Sequence, residues 1–155
     1  MSRVYQIKKE QFLPVSLAQA WDFFSRPANL KIITPAYMNF TVTSEPWEGS
    51  MYPGQLIEYK VKPLLGIPLY WMTEITHVQE QVFFVDEQRY GPYSFWHHQH
   101  HFETVPGGVK MTDRVHYKIP FWLLGDIANT LLVRKQLEQI FAFRFQKAVE
   151  IFGTI

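Results

Sequence analysis

The chain contains no cysteine, so neither a disulfide framework nor thiol chemistry is open to it. It has no excess of charge of either sign: 15 Lys and Arg stand against 14 Asp and Glu, a net +1. A nucleic-acid surface needs clustered basic residues, so nucleic acid is not expected as a partner. Long apolar runs are also missing. The most apolar stretch, residues 121–133, is broken by Gly125, Asp126 and Asn129. It falls well short of the ~20 residues a membrane span requires. The first ten residues carry no apolar core of the signal-peptide kind, and a cytoplasmic protein is expected. There is no Gly-x-Ser-x-Gly elbow, which argues against a Ser-His-Asp hydrolase. Repeats, low-complexity segments and linkers are absent as well. The 155 residues are read as one domain, 1–155.

Aromatic rings are plentiful. Phe 13, Tyr 8 and Trp 5 make up 17% of the chain. Large rigid rings fill cores well, and they also wall pockets. Both readings fit the composition.

The most informative stretch is residues 93–119. It reads as two long strands joined by a Gly-containing turn at Pro106–Gly108, centred near Pro106–Gly107. Side chains alternate between the faces of a strand. Trp96, His98, His100 and Phe102 therefore share one face, and Met111, Asp113, Val115, Tyr117 and Ile119 share another. The turn sets the register: Phe102 opposite Met111, His100 opposite Asp113, His98 opposite Val115, Trp96 opposite Tyr117. The alternate set Lys110, Thr112, Arg114, His116 and Lys118 is wholly polar and faces outward. The inward face thus carries two histidines and an aspartate among rings. Such a set must pair internally or meet a ligand.

The remaining elements follow in order. Residues 4–13 read as a strand. Ser16 with Gln19 forms a capping box, opening a helix with Leu17, Ala18, Trp21 and Phe24 on its apolar face. Pro27 starts a second short helix that carries Leu30, Ile32 and Ile33 and ends before Pro35. Short strands are expected at 40–43 and 56–62, separated by a Pro- and Gly-containing loop with Trp47, Met51 and Tyr52. Residues 63–68 connect to a hairpin of 69–78 and 82–89 around Glu80. On it, Trp71, Thr73 and Ile75 share a face with Val85 and Glu87. After a connection at 120–125, residues 126–152 read as one long helix capped by Asp126. Val133, Leu137, Ile140, Phe141, Ala148 and Phe152 lie on one side. Gln136 falls among the polar residues of the opposite side. Arg144 falls on the apolar side, and Leu132 and Phe143 fall on the polar side. For those two, packing under a loop and a homodimer contact both fit.

Successive strands with short turns make an antiparallel sheet. One curved sheet with helices on one face is an α+β arrangement. Wrapped round the long helix, it leaves space where Trp71, Trp96, His98, His100, Asp113, Tyr117 and Phe141 converge.

The order and motifs resemble the START / birch-pollen-allergen-like (SRPBCC) superfamily, and within it the bacterial polyketide-cyclase-like ligand-binding proteins. The residues carrying the resemblance run through nearly the whole chain: Asn29-Leu30 with Ile33-Thr34-Pro35, Pro53-Gly54-Gln55, and Trp71 with Thr73-Glu74-Ile75. They continue with Asp86-Glu87-Gln88, Gly91-Pro92-Tyr93, Trp96, His98, Phe102, Asp113-Arg114-Val115, Tyr117, Pro120, Ile140-Phe141 and Arg144. The resemblance implies a helix-grip fold, in which a seven-stranded antiparallel sheet surrounds a C-terminal helix over a deep cavity. Superfamily members bind lipids, sterols, polyketides and plant hormones, and some catalyse cyclisation or dehydration. It carries no catalytic set that maps onto this chain residue by residue.

The expected partner is a small hydrophobic or aromatic ligand. The residues expected around it are Trp71, Thr73, Glu87, Trp96, His98, His100, Asp113, Tyr117, Phe141 and Arg144. His100 and Asp113 are also the candidate acid/base pair of a cyclase or dehydratase. A buried pair that satisfies itself fits the same residues. Arg144 either pairs with Glu87 or Asp113 or forks a ligand carboxylate. His98, His100 and Asp113 have the donor types of a two-histidine, one-carboxylate metal site. His-x-His on a strand is weak by itself, and no metal and no cofactor are expected.

Overall fold

The computed structural model describes residues 3–62, 66–120 and 129–154. Seven strands form one antiparallel sheet: β1 (Tyr5–Leu13), β2 (Thr41–Val42), β3 (Leu56–Val61), β4 (Leu69–Gln79), β5 (Phe83–Tyr90), β6 (Phe95–Val105) and β7 (Gly108–Lys118). Their order across the sheet is β1-β7-β6-β5-β4-β3-β2. Every connection from β2 to β7 therefore runs to a spatial neighbour, as short turns require.

Helix α1 (Leu17–Phe24) starts at the expected capping box. The Gln19 N–H donates to Ser16 Oγ at 3.2 Å, and Gln19 Oε1 accepts from the Ser16 N–H at 3.0 Å. Its buried residues are Ala20, Trp21 and Phe24, whereas Ala18 is exposed. The expected second helix is reduced to a 3₁₀ turn over Pro27–Asn29, and another turn, Ala36–Met38, follows Pro35. The long helix α2 covers Arg134–Phe152 and is entered through a wider π-turn at Asn129–Val133. Asp126, its expected cap, lies outside the described residues, as do residues 63–65 and 121–125 of the two expected connections.

The sheet's concave face meets both helices. Leu13, Trp21, Phe24, Ile75, Phe102, Met111 and Ala148 form one buried cluster. Val115, Tyr117, Ile119, Leu137 and Phe141 join β7 to α2 in another. Gln136 is buried on α2 rather than facing outward. Leu132 is exposed and Phe143 half-buried.

The β6–β7 register is the expected one, with His100 opposite Asp113 and His98 opposite Val115. The β4–β5 register is not. Its turn occupies residues 80–82, with Gln81 at a φ of 59°, and a bulge interrupts the ladder between Ile75 and His77. A slip of one residue exchanges the faces of a strand. Asp86 therefore lies opposite Ile75 on the inward face, and Glu87 lies opposite Glu74 on the outward face.

Candidate functional site

A cavity of about 670 Å³ lies between the concave sheet and α2. Trp71, Thr73 and Ile75 of β4, Phe84 and Asp86 of β5, and Trp96, His98 and His100 of β6 line one side. Leu137, Ile140, Phe141 and Arg144 of α2 line another. The wall is aromatic: Trp71 meets Trp96 edge to face at 5.4 Å between centroids and stacks on Tyr59 at 5.8 Å. Tyr59 Oη and Thr73 Oγ1 are hydrogen-bonded at 3.2 Å. The Trp71 indole nitrogen is buried and has no hydrogen-bond partner.

The polar side groups converge at one place. His98 and His100 are two residues apart on β6, so their rings lie on one face, tilted by 32° with centroids 3.7 Å apart. A carboxylate flanks them from each neighbouring strand. Asp113 Oδ1 lies 2.8 Å from His98 Nε2 and 3.1 Å from His100 Nδ1. Asp86 Oδ2 lies 2.5 Å from His100 Nε2 and 3.4 Å from His98 Nδ1. Phe84 stacks on His100 at 4.0 Å, and Phe141 meets His98 edge-on at 5.8 Å. The Trp96 indole N–H donates to the other oxygen of Asp86 at 3.3 Å.

Protons follow from these contacts. Burial pulls both imidazoles toward the neutral form. For His100, hydrogen bonds to Asp113 and Asp86 outweigh burial and hold its pKa above the usual imidazole value. For His98, burial and the neighbouring His100 charge prevail, and its pKa is lowered. With His100 as the imidazolium and His98 neutral, three N–H donors would match the contacts at 2.5, 2.8 and 3.1 Å and leave His98 Nδ1, at 3.4 Å, without a proton. Burial also pushes Asp113 up, but the Arg144 guanidinium 3.8 Å away and the two histidines hold it well below the usual carboxylate range. Asp86, Asp113, His100 and Arg144 then cancel in charge, as a buried cluster requires.

Three expected residues stand elsewhere. Glu87 faces the other side of the sheet, where its Oε1 lies 3.2 Å from His97 Nδ1. Asp113 stands behind the two histidines, outside the main cavity lining, and is the partner of Arg144. Tyr117 is fully buried beside Tyr93 and Trp96 and does not line the cavity. Asp86 and Gln136 are lining residues that the sequence reading did not include. The signal for Asp86 was its place two residues after the core residue Phe84, on the same face of β5.

Solved structures of this shape are known. The ginseng major latex-like protein 151 from Panax ginseng superposes with a TM-score of 0.69 at 11% identity, over 96% of this chain and 97% of its own. Ara h 8.0201 gives 0.62 at 16% identity, over 96% and 99%. Protein Ms6760 from Mycobacterium smegmatis gives 0.68 at 16%, over 94% and 89%.

The chain has the helix-grip fold of the birch-pollen-allergen-like proteins.

No protein-family model matches the sequence, and no curated protein does. At these identities the likeness carries the fold and not the activity. Within the helix-grip frame, the long helix closes the concave sheet, and the two histidines stand on the strand two places from the β1 edge. No helix among the described residues is long and apolar enough to cross a membrane.

Proposed function

We propose that the protein binds a small apolar or aromatic molecule in the cavity between sheet and α2. The observation that carries this reading is the cavity itself: about 670 Å³, walled by rings, with polar groups gathered at one place. Cavities of this size and character hold drug-sized ligands. Trp71 narrows the ligand class further. A buried donor left unpaired costs about 1–3 kcal/mol. A ligand oxygen that met the Trp71 N–H after a small turn of the ring would recover part of that.

The cyclase or dehydratase alternative asks His100 to exchange a proton with the ligand. Both of its ring nitrogens already face carboxylates, at 2.5 and 3.1 Å. Binding is therefore the reading the site supports best.

The test is a thermal-shift and calorimetric comparison of a naphthyl ketone with its hydrocarbon isostere. Both are expected to bind one to one and raise the melting temperature, the ketone about fivefold more tightly. Trp71→Phe keeps the ring and should abolish the ketone's advantage while sparing the hydrocarbon. Failure of every apolar ligand to bind would overturn the reading. Equal affinities, unaffected by Trp71→Phe, would overturn the role of the indole alone.

A further inference from the structure

We propose that Asp86, His98 and His100 form a binding site for a divalent first-row transition metal at the polar side of the cavity. The sequence pattern offers Asp113 as the carboxylate beside the two histidines, whereas the β5 register brings Asp86 to their other side. Donor atoms of Asp86, His98 and His100 all lie within 4.8 Å of one another. Asp86 Oδ2 is 2.5 Å from His100 Nε2 and 3.4 Å from His98 Nδ1. Donors about 2.1 Å from a shared ion, at octahedral or tetrahedral angles, sit about 3.0–3.4 Å apart. The Asp86–His98 distance matches ligand spacing, and the Asp86–His100 contact, about 0.5 Å below that range, would open as an ion replaced the proton the pair shares.

The groups around the three donors fit the same purpose. A metal-bound histidine usually donates its other N–H to a carboxylate or carbonyl, which fixes ring and tautomer. Here one oxygen of Asp113 faces the remaining nitrogen of both rings, His98 Nε2 at 2.8 Å and His100 Nδ1 at 3.1 Å. Arg144 in turn stands 3.8 Å from that oxygen. The Trp96 N–H, at 3.3 Å from Asp86 Oδ1, leaves Asp86 Oδ2 for the ion. Two imidazoles and a carboxylate suit zinc, iron and cobalt, and leave coordination positions for a ligand donor. All three side chains line the cavity, so those positions open toward it.

The site stands apart from the apolar-ligand reading and is tested separately. The chelator-treated full chain is titrated with Co²⁺, following visible d–d absorption, and with Zn²⁺, following imidazole ¹⁵N resonances. One equivalent of Co²⁺ is expected to give a saturable band. Zn²⁺ should shift His98 Nδ1 and His100 Nε2 and leave a proton on the other nitrogen of each ring. Asp86→Asn should abolish the band. Asp113→Asn should weaken binding about 10- to 100-fold. Replacing His97 and His116 on the outer face by Gln should change nothing. Absence of a saturable band, or Zn²⁺ shifts confined to His97, His101 or His116, would overturn the proposal whatever the naphthyl ligands do.

Discussion

Asp113 shows what a single side chain does in this core. It holds two imidazoles and faces a guanidinium, yet it is kept from the main cavity by the rings it orients. Replacing it by Asn removes the charge and preserves the shape. The His100 pKa should then fall, because a hydrogen bond and a charge that favour the imidazolium are lost. An NMR titration of the His100 ring reads this directly, and an unchanged midpoint would refute the pairing. Stability should fall by about 3 kcal/mol, the scale of breaking a buried pair, measured by urea unfolding. The pairing of His100 with Asp113 was legible in the sequence, because a Gly-containing turn at Pro106–Gly108 and alternating polarity set the β6–β7 register. Asp86 was not legible. Its face depends on a bulge, and no residue pattern in β4 announces one.

At the scale of elements, the tightest constraint is at the start of β7. Gly108 passes so close to the end of β1 that an added Cβ would lie 1.9 Å from the Leu13 carbonyl oxygen. The neighbour is backbone, so it cannot swing away. Gly108→Ala is expected to cost on the order of 3 kcal/mol by forcing β1 and the β6–β7 turn apart. The loss should appear as a lower melting temperature and faster amide exchange along β1. Strand positions, the capping box at Ser16 and the long helix were all readable from local signals. The stretch after Pro27 was not, since its apolar residues suit a helix face and a chain of turns equally well. On α2, the polar side assigned to Gln136 failed because its side chain lines the cavity and hydrogen-bonds Tyr37 from the turn at Ala36–Met38.

Among the described residues, two buried histidines, two carboxylates and Arg144 gather in one cluster, and the pH response of the whole molecule should reflect that. Asp113 and Asp86 have folded pKa values below their unfolded ones. Their contribution to stability is present above the unfolded value of about 3.9 and lost as pH falls through the folded values. His98, also lowered, loses its contribution as pH falls below about 6.5. His100, being raised, contributes fully below about 6.5 and loses that as pH rises through its folded pKa. The two histidines act in adjacent windows, His98 below pH of about 6.5 and His100 above it, so stability should peak near that value and fall on either side. The two carboxylates add a further decline below pH of about 4. Urea unfolding across pH checks this, and a stability that kept rising between pH of about 6.5 and 8 would contradict the assignment. The cavity wall supplies one further property. Trp71 and Trp96 stand edge to face at 5.4 Å and 88°, close enough for their excited states to mix. That arrangement produces a paired ultraviolet circular-dichroism signal whose sign and size depend on the angle between the rings. A molecule entering beside them would turn one ring against the other, so the protein carries its own optical gauge of occupancy and needs no attached dye.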